Sequence, residues 1–419
     1  MAKAKAKANV GPLPIPPAPV ARQAHLVLDG PLGVGRPEGE ARVAEIMDSL
    51  VFSRVSEAIR DGLLSLDLSA LNIPETPTGL PLWTSVLNLS NNWLRVDALP
   101  LLHSGVLPTL RALSLSGCAL VGELPPAIGA LAQTLEELDL SRNRITALPL
   151  YLSAPLRALH VLSLAKNALR SLPADLFSQT GCGVALTRLD LRGNELVALP
   201  DCVCACARLE VLILSENLIK ALPESIGSLR SLRLLDVAHN ALTDLSADLM
   251  HCEALETLDV THNNISTLSE AIVVGGTKKL RELRASNNIL SAAPDALCGL
   301  RALRVLALAG NAIGSLPASI GECEALEEVY LAGNATLAEL PESASGWTAL
   351  RILDARCTKL KALPSGADKW AKTLTYLDAT GKKKNTLKIT EEQARSFTMA
   401  KIVGATVVKT KAKKAAKAK

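Results

Sequence analysis

The chain predicts an α/β solenoid: a right-handed horseshoe with a parallel sheet along its concave side and a helical cap at its N-terminal end. Three observations predict it. First, the frame L-x-x-L-x-L-x-x-N-x-L returns every 23 residues between Leu209 and Leu268, with Asn217, Asn240 and Asn263 in its asparagine slot. A fixed period of this size marks a stack of identical units. Second, apolar residues two apart, such as Leu212 and Leu214, share one face of a short strand. Leu209, Ile219 and Leu222 point into the same interior, which one unit cannot bury alone but a stack can. Third, the 419 residues are 48% hydrophobic but only 2% aromatic, a skew that suits layered leucines rather than one globular centre.

In chain order, residues 1–22 are rich in Lys and Ala and then in Pro, so an extended, disordered arm is expected. The lysines are not followed by an apolar stretch, so the arm is not read as a secretory leader. Residues 23–62 form the N-terminal cap. Within them Gly30 and Gly35 have the spacing of a phosphate loop, but Arg36 and Pro37 stand where Lys and Ser or Thr are needed. From Glu38 to Asp61, Val43, Ile46, Met47, Leu50, Val51, Val55, Ala58 and Ile59 recur at helical spacing, and Gly62 ends the helix.

The repeats fill residues 63–380 in about fourteen copies. The asparagine slot reads Asn92, Cys118, Asn143, Asn167, Asn194, Asn217, Asn240, Asn263, Asn288, Asn311 and Asn334, with Thr358 in a frayed copy. A carboxamide there can satisfy backbone groups where the chain leaves the strand. Leu-Pro pairs after the ladder, as at Leu222-Pro223 and Leu316-Pro317, keep the return leg from becoming a strand. Three of the nine cysteines, Cys206, Cys252 and Cys323, occupy a slot filled elsewhere by Leu229 and Leu300, so they read as small buried hydrophobes. At 381–408 a C-terminal cap is expected, with a helix announced by the Thr390 and Gln393 capping box and running to about Ala400. Residues 409–419 are a basic tail.

A net charge of +4 sets no strong preference of partner. No apolar run reaches the ~18 residues of a membrane span. The odd cysteine count and the missing leader are read as a reduced, cytoplasmic setting, with nuclear or cytoskeletal association open. Cys202, Cys204 and Cys206 lack further ligands for a metal, and Asp236 with His239, like Asp259 with His262, falls short of a zinc site. No catalytic constellation converges, so no enzyme, cofactor or metal is expected. What is left is the concave face. The residue between the two strand leucines points there, and in seven of fourteen copies it is Asp. The partner-binding candidates are Asp139, Arg188, Asp190, Arg192, Glu216, Asp236, His239, Asp259, His262, Arg284, Tyr330 and Asp354.

These motifs resemble the leucine-rich repeat superfamily. IKALPESIGSL at Ile219–Leu229 and IGSLPASI at Ile313–Ile320 look like its intracellular, Ras-group-related scaffold type. The resemblance implies a non-catalytic scaffold or adaptor in signal transduction that binds another protein through its concave face as a monomer. A second reading uses the Lys-rich ends to hold an acidic polymer such as microtubules or nucleic acid.

Overall fold

A computed structural model describes residues 37–408, except 78, 95–106, 125–133, 150–156, 175, 178–181, 271–276 and 382–386. The N-terminal arm, the phosphate-loop-like glycines and the Lys runs at 382–384 and 409–419 lie outside the described residues. The chain divides into two units, Met1–Ile46 and Met47–Lys419. Of the first, only the opening turns of an α-helix, Pro37–Asp61, are described.

The second unit is a parallel sheet of fifteen strands, stacked in sequence order from Ser65–Asp67 to Lys401–Val403. Each strand is three residues long and alternates as the frame demands, with its middle residue inward. Leu212, Leu235 and Leu258 stand side by side in register. All three are fully buried, as are Leu209, Ile219 and Leu232. The core is therefore a column of aliphatic layers, and each layer is closed by the next.

The asparagine ladder is built as the carboxamide chemistry predicts. Asn263 Oδ1 accepts from the Leu242 N–H at 3.0 Å, and its Nδ2 donates to the carbonyls of Val237 and Val260, both at 3.0 Å. The same triplet recurs at Asn143, Asn217 and Asn311. Cys118 keeps only the donor half, through an Sγ–Leu89 carbonyl contact of 3.1 Å. Thr358 turns inward to its own strand, donating to the Ala355 carbonyl at 2.8 Å.

On the return leg, the leucine-proline pairs open short 3₁₀ turns such as Glu224–Ser228 and Ala318–Glu322. Each turn buries one side chain (Ile226, Ile320) and closes on the slot that holds Leu229 or Cys323. Cys206, Cys252 and Cys323 are wholly buried there, interchangeable with Leu229 as the sequence indicates. Burial pushes the Cys252 thiol up to about 12. The next two copies solve the same slot differently. Trp347 and Trp370 fill it, stacked with centroids 6.0 Å apart, and the turn residue shrinks to Ala344 and Ala367. A large ring replaces an aliphatic pair while the layer stays filled. Both indoles donate to carbonyls of the preceding copy, Trp347 to Ile320 at 2.9 Å and Trp370 to Ala344 at 3.2 Å.

The two ends differ from the interior. Over the first strand, the helix packs Val51, Val55 and Ala58 on the core, and Arg54 Nη1 donates to the Asp67 carbonyl at 2.7 Å. Leu50 and Ile59, read from the sequence as part of the apolar stripe, are 41% and 49% exposed. The helix ends at Gly62, whose φ of 62° lets the Leu63 N–H reach back to the Ala58 carbonyl at 3.0 Å. At the far end Thr390 and Gln393 cap a helix over Glu391–Ser396 reciprocally. That helix ends four residues short of Ala400. The sheet also runs past the last leucine frame, because Lys401–Val403 pairs with Tyr376–Asp378. A second parallel pair, Leu387–Thr390 with Ala405–Val408, lies beside it.

Candidate functional site on the open face of the sheet

Four columns of side chains line the open side of the strands and the turns that follow them. The first and third residues of each strand give two columns. The fifth position gives another. The residue just before the ladder position gives the last, and it is left-handed in copy after copy: Glu216, His239 and His262 have φ of 59°, 55° and 56°.

Most of the acidic column has a structural task. Asp139 Oδ1 accepts from the Ser141 N–H at 2.9 Å, Asp190 from Arg192 at 3.1 Å, Asp236 from Ala238 at 3.0 Å, Asp259 from Thr261 at 2.9 Å and Asp354 from Arg356 at 3.1 Å. Asp67 and Asp378 do the same, and so does Asn88 through its amide oxygen. Each closes an Asx turn that leads the chain off its strand. In four of the seven the signal was in the sequence as Asp-x-Ser or Asp-x-Thr, at Asp67, Asp139, Asp259 and Asp378. Asp236 is the most enclosed of the middle copies, 4% exposed, and also accepts from Ser215 Oγ at 2.8 Å. Burial raises its pKa, partly offset by the Ala238 and Ser215 hydrogen bonds.

The carboxylates committed to turns are not free ligands. His239 and His262 stack with centroids 4.2 Å apart, and His262 contacts the Asn287 amide at 3.0 Å through Nε2. Burial, then the neighbouring His239, lowers the pKa of His262. Among the described residues no group of three or more His, Cys, Asp or Glu is placed to hold a metal ion.

The remaining candidates gather toward the C-terminal half. Arg284 and Tyr330 lie two strands apart with Ala307 between them, so the small residue leaves a saddle beneath two large ones. Glu282 Oε2 holds Arg284 Nη2 at 2.7 Å, and Glu328 Oε2 accepts from the Tyr330 hydroxyl at 2.7 Å. Burial first, then that carboxylate, raises the phenol's pKa. Beyond Tyr330, Asp354 grips Arg356 through two bonds of 2.9 and 2.7 Å, and Arg356 Nε lies 4.0 Å from Asp378. Tyr376 completes the row by donating to Asp378 at 3.0 Å. At Asp378 burial pushes the pKa up, but the Thr380 and Tyr376 hydrogen bonds and the Arg356 charge outweigh it and leave it lowered. Tyr376 was missed in the sequence, although it stands in the same column as Glu282 and Glu328. Arg188 and Arg192 sit apart, in the copy of Asp190. Arg192 Nε and Arg284 Nε are buried and lack an acceptor among the described residues.

Comparisons with known proteins agree with this architecture. Leucine-rich repeat models match residues 184–242, 230–290, 132–148 and 109–131. Tsukushi of Mus musculus is 35% identical over 134 residues, which is 32% of this chain and 36% of that protein. Leucine-rich repeat-containing G-protein coupled receptor 5 of Rattus norvegicus is 40% identical over 90 residues, 22% of this chain and 9% of the receptor. The chain thus spans about a third of one curated relative and under a tenth of the other. A leucine-rich repeat protein of Leptospira interrogans superposes with a TM-score of 0.65 at 25% identity, covering 83% of this chain and 98% of its own. The leucine-rich repeat ectodomain of the Arabidopsis thaliana membrane receptor kinase GASSHO1/SCHENGEN3, solved with CASPARIAN STRIP INTEGRITY FACTOR 2, gives 0.62 at 24% identity, covering 78% and 39%.

The fold is a leucine-rich repeat solenoid. The cytoplasmic location expected from the sequence does not stand, because the curated relatives that the chain matches, Tsukushi and a leucine-rich repeat-containing G-protein coupled receptor, are secreted or membrane-receptor proteins and point outside the cell. The physical reason lies in the cysteines. Cys118, Cys206, Cys252 and Cys323 are sealed in the core, so these thiols are placed by packing and carry no record of the redox compartment. Among the described residues no helix is long and apolar enough to cross a membrane.

Proposed function

We propose that the chain is a non-catalytic protein-binding solenoid that recognises its partner on the open face of the sheet, centred on Glu282, Arg284, Glu328, Tyr330, Asp354 and Arg356. One observation carries the reading: among the described residues, only here do arginines and a tyrosine clasp carboxylates in neighbouring copies, above a floor lowered by Ala307. Tyr and Arg are the residues that anchor protein interfaces, and here their rotamers are already fixed by their neighbours. The solved receptor ectodomain's complex with CASPARIAN STRIP INTEGRITY FACTOR 2 supports a role in capturing a protein or peptide. Apart from Asp354, which also grips Arg356, the acidic column contributes shape more than contact, since its carboxylates are spent on turns.

The test uses the purified chain against an array of extracellular proteins, with Arg284→Glu/Tyr330→Ala as the probe and Arg230→Glu, an exposed residue beside a return turn, as the control. A partner should bind wild type and the control alike and lose at least about thirtyfold with the probe, the effect of a hot spot of ~2 kcal/mol. A partner that ignores the probe, or loses equally with the control, places recognition elsewhere.

A further inference from the structure

A cleft of about 440 Å³ lies near the N-terminal end, off the proposed protein-binding patch, between the turns of four consecutive copies. Its shape follows from one copy with small side chains. At the left-handed turn position, successive copies carry Asn91, Gly117, Arg142 and Lys166, with φ of 57°, 66°, 57° and 56°. One residue beyond the ladder they carry Trp93, Ala119 and Arg144. Gly117 and Ala119 therefore make a low floor. Trp93 rises on one side, and Arg142, Arg144 and Lys166 rise on the other. At Gly117 a Cβ would sit 2.7 Å from Asn91 Oδ1, so glycine lets the Asn91 side chain lie across this copy and keeps the floor low.

Two features separate this cleft from ordinary surface. Trp93 is 69% exposed, although the two tryptophans of the later copies are fully buried. The three cations have no carboxylate partner among the described residues, whereas the flanking arginines find theirs: Arg111 with Glu136 at 2.8 Å and Arg170 with Glu195 at 3.0 Å. A bare indole facing three uncompensated cations across a small-molecule-sized hollow suits a ligand with a flat ring at one end and about two negative charges at the other.

We infer that this cleft binds a phosphorylated nucleoside, the base stacked on Trp93 and the phosphate held by Arg142, Arg144 and Lys166. Stacking on an aromatic ring with a phosphate in a cationic funnel is how single nucleotides are held without reading sequence. Both a free mononucleotide and one nucleotide of a single strand present this chemistry. Binding is salt-sensitive, because the cations make contact through the phosphate.

The test is calorimetric titration of the full chain with adenosine 5′-monophosphate, adenosine, inorganic phosphate and a short oligodeoxyadenylate. Variants are Trp93→Ala, Arg142→Ala/Lys166→Ala, and Ala119→Glu, which raises the floor with a carboxylate. All change exposed side chains, and thermal melts followed by circular dichroism establish that each variant is folded. The monophosphate should bind more tightly than either of its halves. Trp93→Ala should weaken it about 5- to 150-fold, the span of one stacked base, and the other two variants should weaken it most at low salt and flatten its salt dependence. An oligodeoxyadenylate that outcompetes the monophosphate and is lost in the same variants names a single strand as the source. Equal affinity for inorganic phosphate and the monophosphate, binding unmoved by Trp93→Ala, or no binding by any nucleotide overturns the inference.

Discussion

Replacing Asn263 with Ala tests the ladder where its bookkeeping is complete. The carboxamide makes three short bonds, one accepted from Leu242 and two donated to Val237 and Val260. The two carbonyls are not left bare by its loss. Val237 also accepts from Asn240 at 3.0 Å, and Val260 from Asn288 at 3.0 Å, because each ladder carbonyl is shared by its own copy and the next. The Leu242 N–H has no such reserve. One orphaned buried donor costs about 1–3 kcal/mol, and two halved acceptors add roughly 0.5–1 kcal/mol each, so Asn263→Ala should lose about 2–5 kcal/mol. The chemistry of the replacement then sets an order. Cys, which serves naturally at Cys118, keeps a weak donor and should be milder than Ala. Asp turns an oxygen toward two carbonyls and should be the worst. Equilibrium urea unfolding measures the loss, and hydrogen exchange at the Leu242 amide locates it. An Asn263→Asp variant as stable as the parent would refute the assignment of the amide and with it the ladder's direction.

Three further outcomes follow from the same geometry. Leu212→Ala removes a fully buried strand side chain flanked by Leu189 and Leu235. It should cost ~2–5 kcal/mol in urea unfolding, and a cost near zero would mean the register is misplaced. Asp236→Asn keeps an acceptor for the Ala238 N–H, as Asn88 does for Ser90, but removes a buried charge. Because burial raises the folded-state pKa of Asp236 above its ordinary 3.8, the parent's stability relative to the variant should fall as pH rises from that value through the raised one. The variant should then match or exceed the parent at neutral pH, and a less stable variant at neutral pH contradicts the burial argument. In the tryptophan layer, Trp347→Cys leaves a cavity and Ala344→Ile overpacks, at ~3–5 and ~1–3 kcal/mol respectively. Together they rebuild the Ile320 and Cys323 arrangement of the copy before, so denaturation should show the double variant more stable than the two losses added predict.

The frame was legible because the core repeats. Every inward leucine answers to its neighbour one copy away, so an error in one copy would have been visible in the next. The ladder, the strand register and the cysteine slot could all be read from Leu209 to Leu268 alone. What escaped were positions where the layer is filled by a different partition of the same volume, such as Ala344 with Trp347, or where pairing survives without the frame. Lys401–Val403 joins the sheet through Ile402 opposite Leu377, yet no leucines precede it at the repeat's spacing. Backbone pairing needs only an extended strand at the edge, which no side-chain frame announces.

The site was less legible for a reason that sequence periodicity itself creates. A residue that recurs in a column is recurring because every copy needs it, and every copy shares a backbone, not a partner. Asp139, Asp190, Asp236 and Asp259 repeat because each strand must turn, so their repetition is evidence for the Asx turn and against selective contact. The residues that can discriminate a partner are those that break their column: Arg284, Ala307 and Tyr330 where Asp is the rule, and Trp93 beside Ala119. Recognition on a solenoid is thus written in the departures from its period. Tyr330→Asp is therefore a sharper probe than truncation, since it restores the column's common residue. The Asx turn it could close before Ala332 should keep the fold, while the aromatic anchor is lost. A partner still held at full strength by that variant would show that the departures carry no recognition.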